Sequence, residues 1–165
     1  MAMSVGLDSA GSREENGQRI PMPLDVLGFA EIAYGTPADG EALWFSALVL
    51  EAFTIPGDAV SDLLFGLSKN PGGRALYANR GIPPHPSELV VRELQDDERF
   101  GAGHGEGAFG HTYATLDEIE AVPWGSLGVE PTASAWSAVF AILDVMRRKL
   151  GASGDRLRVI VWATW

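Results

Sequence analysis

The sequence predicts a single α+β domain, in which about four helices pack on a small antiparallel sheet. An apolar hairpin near the start of the chain and an alternating strand at its end supply this sheet. Amphipathic segments with helical spacing and recognisable cap residues lie between them. Because the strands flank a block of helices instead of alternating with them, their order indicates the α+β class.

Composition narrows the range of functions. A chain of 165 residues with 46% hydrophobic and 21% charged residues fits one globular domain. Its net charge of −10 opposes binding to duplex nucleic acid. We see neither an apolar run of membrane-spanning length nor a secretory signal, and cysteine is absent. We therefore expect a cytoplasmic protein without a membrane partner.

The amino-terminal part of the chain divides into a tail and a hairpin. Residues 1–19 are polar and lack periodicity, which predicts a flexible tail and leaves 20–165 as the domain. Strands are predicted at Pro23–Tyr34 and Ala42–Phe53, which are rich in β-branched and large apolar side chains. Between them, Thr36–Gly40 combines proline with Asp-Gly, which favours a turn. The pattern predicts an antiparallel hairpin.

Two helices are predicted in the middle of the chain. Asp58 is a suitable N-cap for a helix with a single apolar stripe, and Asn70–Gly73 is expected to end that helix. Ser87 caps the next helix, which is expected to run to about Glu98. The apolar stripe indicates that the first of these helices packs on the sheet.

Three further elements follow. Thr115 and Glu118 have the spacing of a capping box, so a short helix is expected after Thr115. Pro131–Leu150 is predicted as the longest helix, with Gly151 as its left-handed stop. The segment Leu157–Thr164 alternates in side-chain type and is predicted as the final strand.

The turn at Arg80 is the first candidate for ligand binding. Its sequence, Arg-Gly-Ile-Pro-Pro, stiffens the backbone, so the guanidinium of Arg80 could meet a phosphate or carboxylate with little loss of entropy. Alternatively, Arg80 pairs with an acidic neighbour or a helix end and only braces the turn. Asn79 directly precedes it and is a further candidate contact.

His111 is the second candidate, as a catalytic base or a ligand contact. It begins a short segment expected to be extended, and Thr112 and Tyr113 follow it. A histidine there could act as general base, ligand contact or proton switch, or it could bond to a backbone carbonyl and hold the preceding loop. The candidate ligand-binding residues are Asn79, Arg80, His104, Glu106, His111, Thr112 and Tyr113.

The glycine-rich loop Gly101–Gly110 contains His104 and Glu106. Together with His111 they supply two imidazoles and a carboxylate, but their spacing matches no standard zinc motif, so no metal and no cofactor is predicted. The loop also lacks the pattern of a P-loop or a dinucleotide fingerprint. It is interpreted as a mobile surface loop or a lid over the Arg80 site.

Two short motifs resemble a poorly characterised family of small phage and bacterial proteins. They are Arg-Gly-Ile-Pro at 80–83 and His-Thr-Tyr-x-Thr-Leu-x-Glu-Ile at 111–119; the family reads Arg-Gly-Leu-Pro and His-Thr/Ser-Trp/Tyr-x-Thr-Leu-x-Glu-Leu. The segments at 62–65 and 158–162 are also similar, so the resemblance covers most of the domain. The chain departs from the family at 59–61, where Ala-Val-Ser replaces Arg-Asn-Tyr.

Three functions remain open on the sequence. The favoured one is a homo-oligomer that binds a small anionic, nucleotide-like ligand, and the resemblance implies a sequestering role of phage type. The second is a small hydrolase or lyase with His111 as general base and Glu106 or Asp97 as its orienting carboxylate. The third is a structural or protein-interaction module. In that case the partner surface is expected to contain exposed Trp124, Trp162 and Trp165.

Overall fold

Four antiparallel strands form one sheet at the centre of the fold. They are β1 (Asp25–Tyr34), β2 (Leu43–Val49), β3 (Phe109–Thr115) and β4 (Leu157–Thr164). Their spatial order, β2-β1-β4-β3, places the first and last strands side by side in the interior. The computed structural model describes residues 25–35, 42–53, 57–67, 75–101 and 108–164, without the side chains of 97–101.

Helices cover both faces of this sheet. Within the described ranges they are α1 (Ala59–Phe65), α2 (Glu88–Gly101), α3 (Leu116–Glu120), α4 (Trp124–Leu127) and α5 (Trp136–Leu150). Short 3₁₀ turns at Pro131–Ala133 and Gly154–Arg156 precede α5 and β4. The α+β class predicted from the sequence is thus confirmed, with an antiparallel sheet and helices between its strands.

The central strand β4 has β1 and β3 at its edges, and its two faces are buried by the cores that lie on either side of the sheet. Successive side chains of a strand point to opposite faces. Val159 and Val161 therefore enter the larger core, whereas Ile160 and Trp162 enter the smaller one. All four side chains are buried.

The larger core lies between the sheet and the layer formed by α1, α3 and α5. Val60 and Leu64 of α1 and Trp136 and Leu143 of α5 are fully buried there, and Ile119 joins them from α3. Their recurrence at helical spacing gives each helix one apolar stripe, whose burial drives packing on the sheet.

On the opposite face, α2 is the helix that packs. Its Val90 is fully buried against Phe29, Ile160 and Trp162. This second core contains far fewer buried side chains than the first. Consequently α2 covers only part of its face of the sheet.

Three of the predicted helix caps, Asp58, Thr115 and Gly151, are confirmed. Asp58 accepts a hydrogen bond from the Val60 N–H (2.8 Å) at the start of α1. Thr115 and Glu118 form the complete capping box that opens α3. Gly151 ends α5 in the left-handed conformation, with φ of 61°. Such local signals depend on a few neighbouring residues, which explains why the sequence revealed them.

Two predicted helix boundaries are wrong. The first helix ends at Phe65 and not at Asn70–Gly73, because Gly66 takes the left-handed conformation and its N–H bonds back to Asp62 and Ser61. Pro131 opens only a 3₁₀ turn, since Ser134 is extended and separates that turn from α5.

The hairpin prediction is confirmed by the antiparallel pairing of β1 and β2. The second strand is shorter than predicted, because β2 ends at Val49 and a turn follows at 50–53. The tail at 1–19 and the turn Thr36–Gly40 lie outside the described residues. Among the helices of the described ranges, none has the length and apolar character needed to cross a bilayer.

Candidate functional site

The Arg80 turn lies along the outer edge of β3, so the two candidate motifs are in direct contact. The Gly81 N–H donates to the His111 carbonyl oxygen (3.0 Å), and the Arg80 N–H donates to Thr112 Oγ1 (3.4 Å). The Thr112 hydroxyl in turn donates to the Tyr77 carbonyl oxygen. These bonds fix the start of the Arg80 side chain relative to the strand.

The guanidinium of Arg80 is held through one nitrogen. Its Nη1 donates to Oε1 and Oε2 of Glu118 (2.9 and 3.0 Å) and lies 3.4 Å from the Tyr113 carbonyl oxygen. Cζ is 4.4 Å from the ring centroid of Tyr77 and 5.6 Å from that of Tyr113. Within the described residues, Nε and Nη2 make no hydrogen bond. The Arg80 side chain is 31% exposed.

The neighbouring ionisable groups respond to this arrangement. Partial burial opposes ionisation of Glu118, but hydrogen bonds from the Thr115 N–H and from Arg80 outweigh it and lower the pKa of Glu118. For Tyr77, burial and the Glu118 charge raise the pKa of the phenol. Tyr77 therefore stays protonated and donates from its hydroxyl to the Glu118 carbonyl oxygen (2.8 Å).

The other predicted site residues occupy different environments. The His111 ring is half-buried and stacks on Trp162 with a centroid distance of 6.1 Å. Thr112 is fully buried, and its hydroxyl is used inside the chain. Asn79 is exposed and has a left-handed φ of 56°. Tyr113 is half-buried beside Arg80.

His104 and Glu106 lie outside the described residues. Within the part of the chain that the structure describes, no group of three or more histidine and carboxylate side chains is placed to hold a metal ion. The loop Gly101–Gly110, interpreted as a surface loop or a lid, is described only at its two ends, so both interpretations stay predictions.

A second arginine–glutamate pair lies inside the protein, and sequence reasoning missed it. Glu31 of β1 and Arg158 of β4 are direct cross-strand partners. Arg158 Nε and Nη2 both bond to Glu31 Oε2 (2.8 and 2.7 Å), and both residues are at least 97% buried. The sequence signal for this pair is a charged residue inside each of two apolar strands, Glu31 in β1 and Arg158 in β4.

Backbone groups complete the surroundings of this buried pair. Arg158 donates to the carbonyl oxygens of Pro84 and His85 (3.1 Å each), and Glu31 Oε1 accepts from the Ser87 N–H (2.7 Å). The proline turn is thereby fastened to the sheet. Burial lowers the pKa of Arg158, and the Glu31 charge opposes that shift.

The tryptophans do not form the exposed surface predicted for an interaction module. Trp162 is buried, with 1% of its surface exposed. Trp124 is half-buried and packs on Phe140 at a ring distance of 6.2 Å. The expectation that these two rings are exposed is wrong, because Trp162 lies in the smaller core and Trp124 packs against the larger one. Trp165 lies outside the described residues.

Comparisons of the chain with protein-family models, with curated proteins and with solved structures give no match.

Proposed function

We propose that this protein is a small-ligand-binding module that holds an anionic, nucleotide-like molecule at Arg80. The observation that carries the proposal is the one-sided engagement of the guanidinium. Every hydrogen bond from the guanidinium to a described residue is donated by Nη1, which leaves the Nε–Nη2 edge for a ligand. This edge offers two parallel N–H groups, the geometry that suits a carboxylate or a phosphate.

Preorganisation supports the same proposal. The stack on Tyr77, the bonds to Glu118 and the backbone bond from Gly81 to His111 restrict Arg80 before a ligand arrives. A side chain that is already ordered loses less conformational entropy on binding. The Tyr113 ring, whose centroid lies 5.6 Å from Arg80 Cζ, adds an aromatic surface beside the guanidinium.

Charge limits the strength of this site. Glu118 neutralises much of the Arg80 charge at short range, and the net charge of −10 repels anions at long range. Salt screens the remote charges beyond about 10 Å, so short contacts to Arg80 dominate once a ligand is bound. We therefore expect modest affinity and a ligand with an apolar or planar part that adds contact area.

Isothermal titration calorimetry with adenosine monophosphate and with uncharged adenosine, at low ionic strength, tests the proposal. The phosphate compound is expected to bind more tightly, and Arg80→Gln is expected to weaken it by about tenfold or more. Arg80→Lys retains the charge but loses the fork, so it should fall in between.

Arg92→Gln is the matched control, because Arg92 is an exposed arginine that also pairs with a glutamate. Its affinity for the phosphate compound should equal that of the unchanged protein. The proposal would be contradicted if Arg80→Gln bound the phosphate compound as tightly as the unchanged protein does. It would also be contradicted if none of a panel of nucleotides and sugar phosphates bound to the protein.

The hydrolase or lyase alternative stays a prediction. Its base, His111, stacks on Trp162. Of the two candidate carboxylates, Glu106 lies outside the described residues and the side chain of Asp97 is not described. Turnover that disappears in His111→Ala but survives in Arg80→Gln would favour the enzyme over the binding module.

Assembly into a homo-oligomer and a cytoplasmic, phage-type role also stay proposals. The sheet edge at β2 is the surface that best supports self-association. Leu43, Phe45 and Val49 are 49–58% exposed there, and β2 contains no charged residue. Charged residues or proline normally protect such an edge from pairing with another strand.

A further inference from the structure

An open groove lies on the α2 side of the sheet, away from the Arg80 turn. It is bounded by β1, β2, β4 and α2, whereas Arg80 lies at the outer edge of β3. The groove has a volume of about 320 Å³, which is at the small end of the range for ligand pockets. It exists because α2 covers only part of this face of the sheet.

The groove has an apolar base and apolar walls. Phe29 and Trp162, whose rings lie 6.0 Å apart, form its base. Val49 on one side and Leu89 on the other are 49% and 38% exposed. Phe29 and Trp162 are only 5% and 1% exposed, so Val49 and Leu89 supply most of the apolar area that gains free energy when a ligand removes it from water.

Two carboxylates complete the lining. Glu51 follows β2, and Glu93 lies one turn of α2 beyond Leu89. Both are exposed, and neither has an ion-pair partner among the described residues. None of the described residues that line the groove is basic. The charge at this groove is therefore negative, and the net charge of −10 reinforces it at long range.

We propose that this groove binds a small organic cation with an aromatic or branched apolar body. The apolar body would lie between Val49 and Leu89, above Phe29 and Trp162, while its ammonium group would face Glu51 and Glu93. This ligand carries the opposite charge to the one proposed for Arg80, and the groove lies away from the Arg80 turn. The two proposed sites are therefore independent. An apolar cavity with a few convergent polar groups is the usual form of a small-molecule site.

A matched pair of probes separates the contribution of charge from that of apolar contact. 2-Phenylethylamine is cationic at neutral pH, and 2-phenylethanol has the same ring and chain without the charge. Saturation-transfer NMR and calorimetry would give both dissociation constants. We expect the amine to bind roughly five- to tenfold more tightly than the alcohol.

Three variants locate the probe. Glu51→Gln with Glu93→Gln should weaken the amine to the level of the alcohol and leave the alcohol unchanged. Leu89→Trp should fill the groove and abolish binding of both probes. Glu88→Gln, which removes a carboxylate from the same helix outside the groove, should leave both dissociation constants unchanged.

Equal binding of the two probes, amine binding that survives the double glutamine variant, or no binding at millimolar concentration would each overturn the proposal. Arg80→Gln should leave amine binding unaltered, so a failure of the anion site and a failure of this groove give different results.

Discussion

The two arginine–glutamate pairs of this protein share their chemistry but differ in burial. In both, an arginine stacks on an aromatic ring: Arg158 lies 3.6 Å from the Trp44 centroid, and Arg80 lies 4.4 Å from that of Tyr77. The side chains of Arg158 and Glu31 are 4% and 0% exposed, whereas those of Arg80 and Glu118 are 31% and 36% exposed.

This difference in burial separates a structural pair from a candidate binding pair. Inside the protein, the desolvation of both charges is offset only by complete pairing, and each group of the buried pair has several partners. At the sheet edge, water screens the interaction, so one edge of the guanidinium can stay unpaired at little cost. We infer that the exposed pair is adaptable and that the buried pair is not.

Breaking the buried pair is expected to have the largest effect. Arg158→Met leaves the Glu31 carboxylate buried without its counter-charge and frees the carbonyl oxygens of Pro84 and His85. The free energy of unfolding should fall by about 3–5 kcal/mol in urea denaturation. Replacing both partners, Glu31→Met with Arg158→Met, should recover most of that loss. A single variant as stable as the unchanged protein would contradict a structural role.

Removing a buried hydrogen bond between neutral groups is expected to have an intermediate effect on the free energy of unfolding. Trp136 Nε1 donates to Ser61 Oγ (2.6 Å), and both residues are fully buried. Ser61→Ala leaves this N–H without an acceptor, so the free energy of unfolding should fall by about 1–3 kcal/mol. Ser126→Ala removes an exposed hydroxyl bond and should change stability by less than about 0.5 kcal/mol. Equal effects of the two changes would show that burial does not govern these bonds.

The Arg80–Glu118 pair at the sheet edge should contribute less to the free energy of unfolding, and its contribution should depend on pH. The folded pKa of Glu118 lies below its ordinary value of 4.5, so its stabilisation is present above that pH and is lost as pH falls through the folded pKa. Glu118→Gln should cost about 0–1 kcal/mol at pH 7, because solvent screens the pair. Urea denaturation from pH 7 down to pH 3 should show the two proteins converging. A constant difference would exclude Glu118 ionisation as the cause.

The smallest effect is expected for the most exposed pair. Arg92 and Glu88 on α2 have side chains that are 63% and 89% exposed. Glu88→Gln should change the free energy of unfolding by no more than about 0.5 kcal/mol. The thermal midpoint of Glu88→Gln should therefore equal that of the unchanged protein, which makes this variant a suitable control for the groove experiment. A larger loss would mean that helix propensity or capping at Glu88 also contributes.

Neighbouring residues explain which parts of the fold were predictable. The strand Leu157–Thr164 and the capping box at Thr115 were predicted with their observed bounds, since each depends on a few consecutive residues. The helix end at Gly66 was missed because Asn70–Gly73 has the more prominent turn composition, although a single left-handed glycine is sufficient to end a helix.

The contact between the two candidate segments agrees with the sequence analysis, but the partner of Arg80 was not predicted. The sequence singled out Arg80, His111 and Tyr113, and the structure brings their segments together along β3. It did not identify Glu118 as the partner of Arg80, because the capping box already accounted for that carboxylate. One side chain fills both roles, since its two oxygens accept from Thr115 and from Arg80.

By itself, the sequence determined the α+β class, the caps and the short strand that begins near His111, because these follow from local periodicity and backbone preference. Only the tertiary structure decided that β4 lies in the interior and that Glu31 meets Arg158 across 127 positions. Such a pairing depends on strand order and register, which arise when the whole chain buries its apolar faces together. The same burial left Arg80 at the edge of the sheet, where its side chain is 31% exposed.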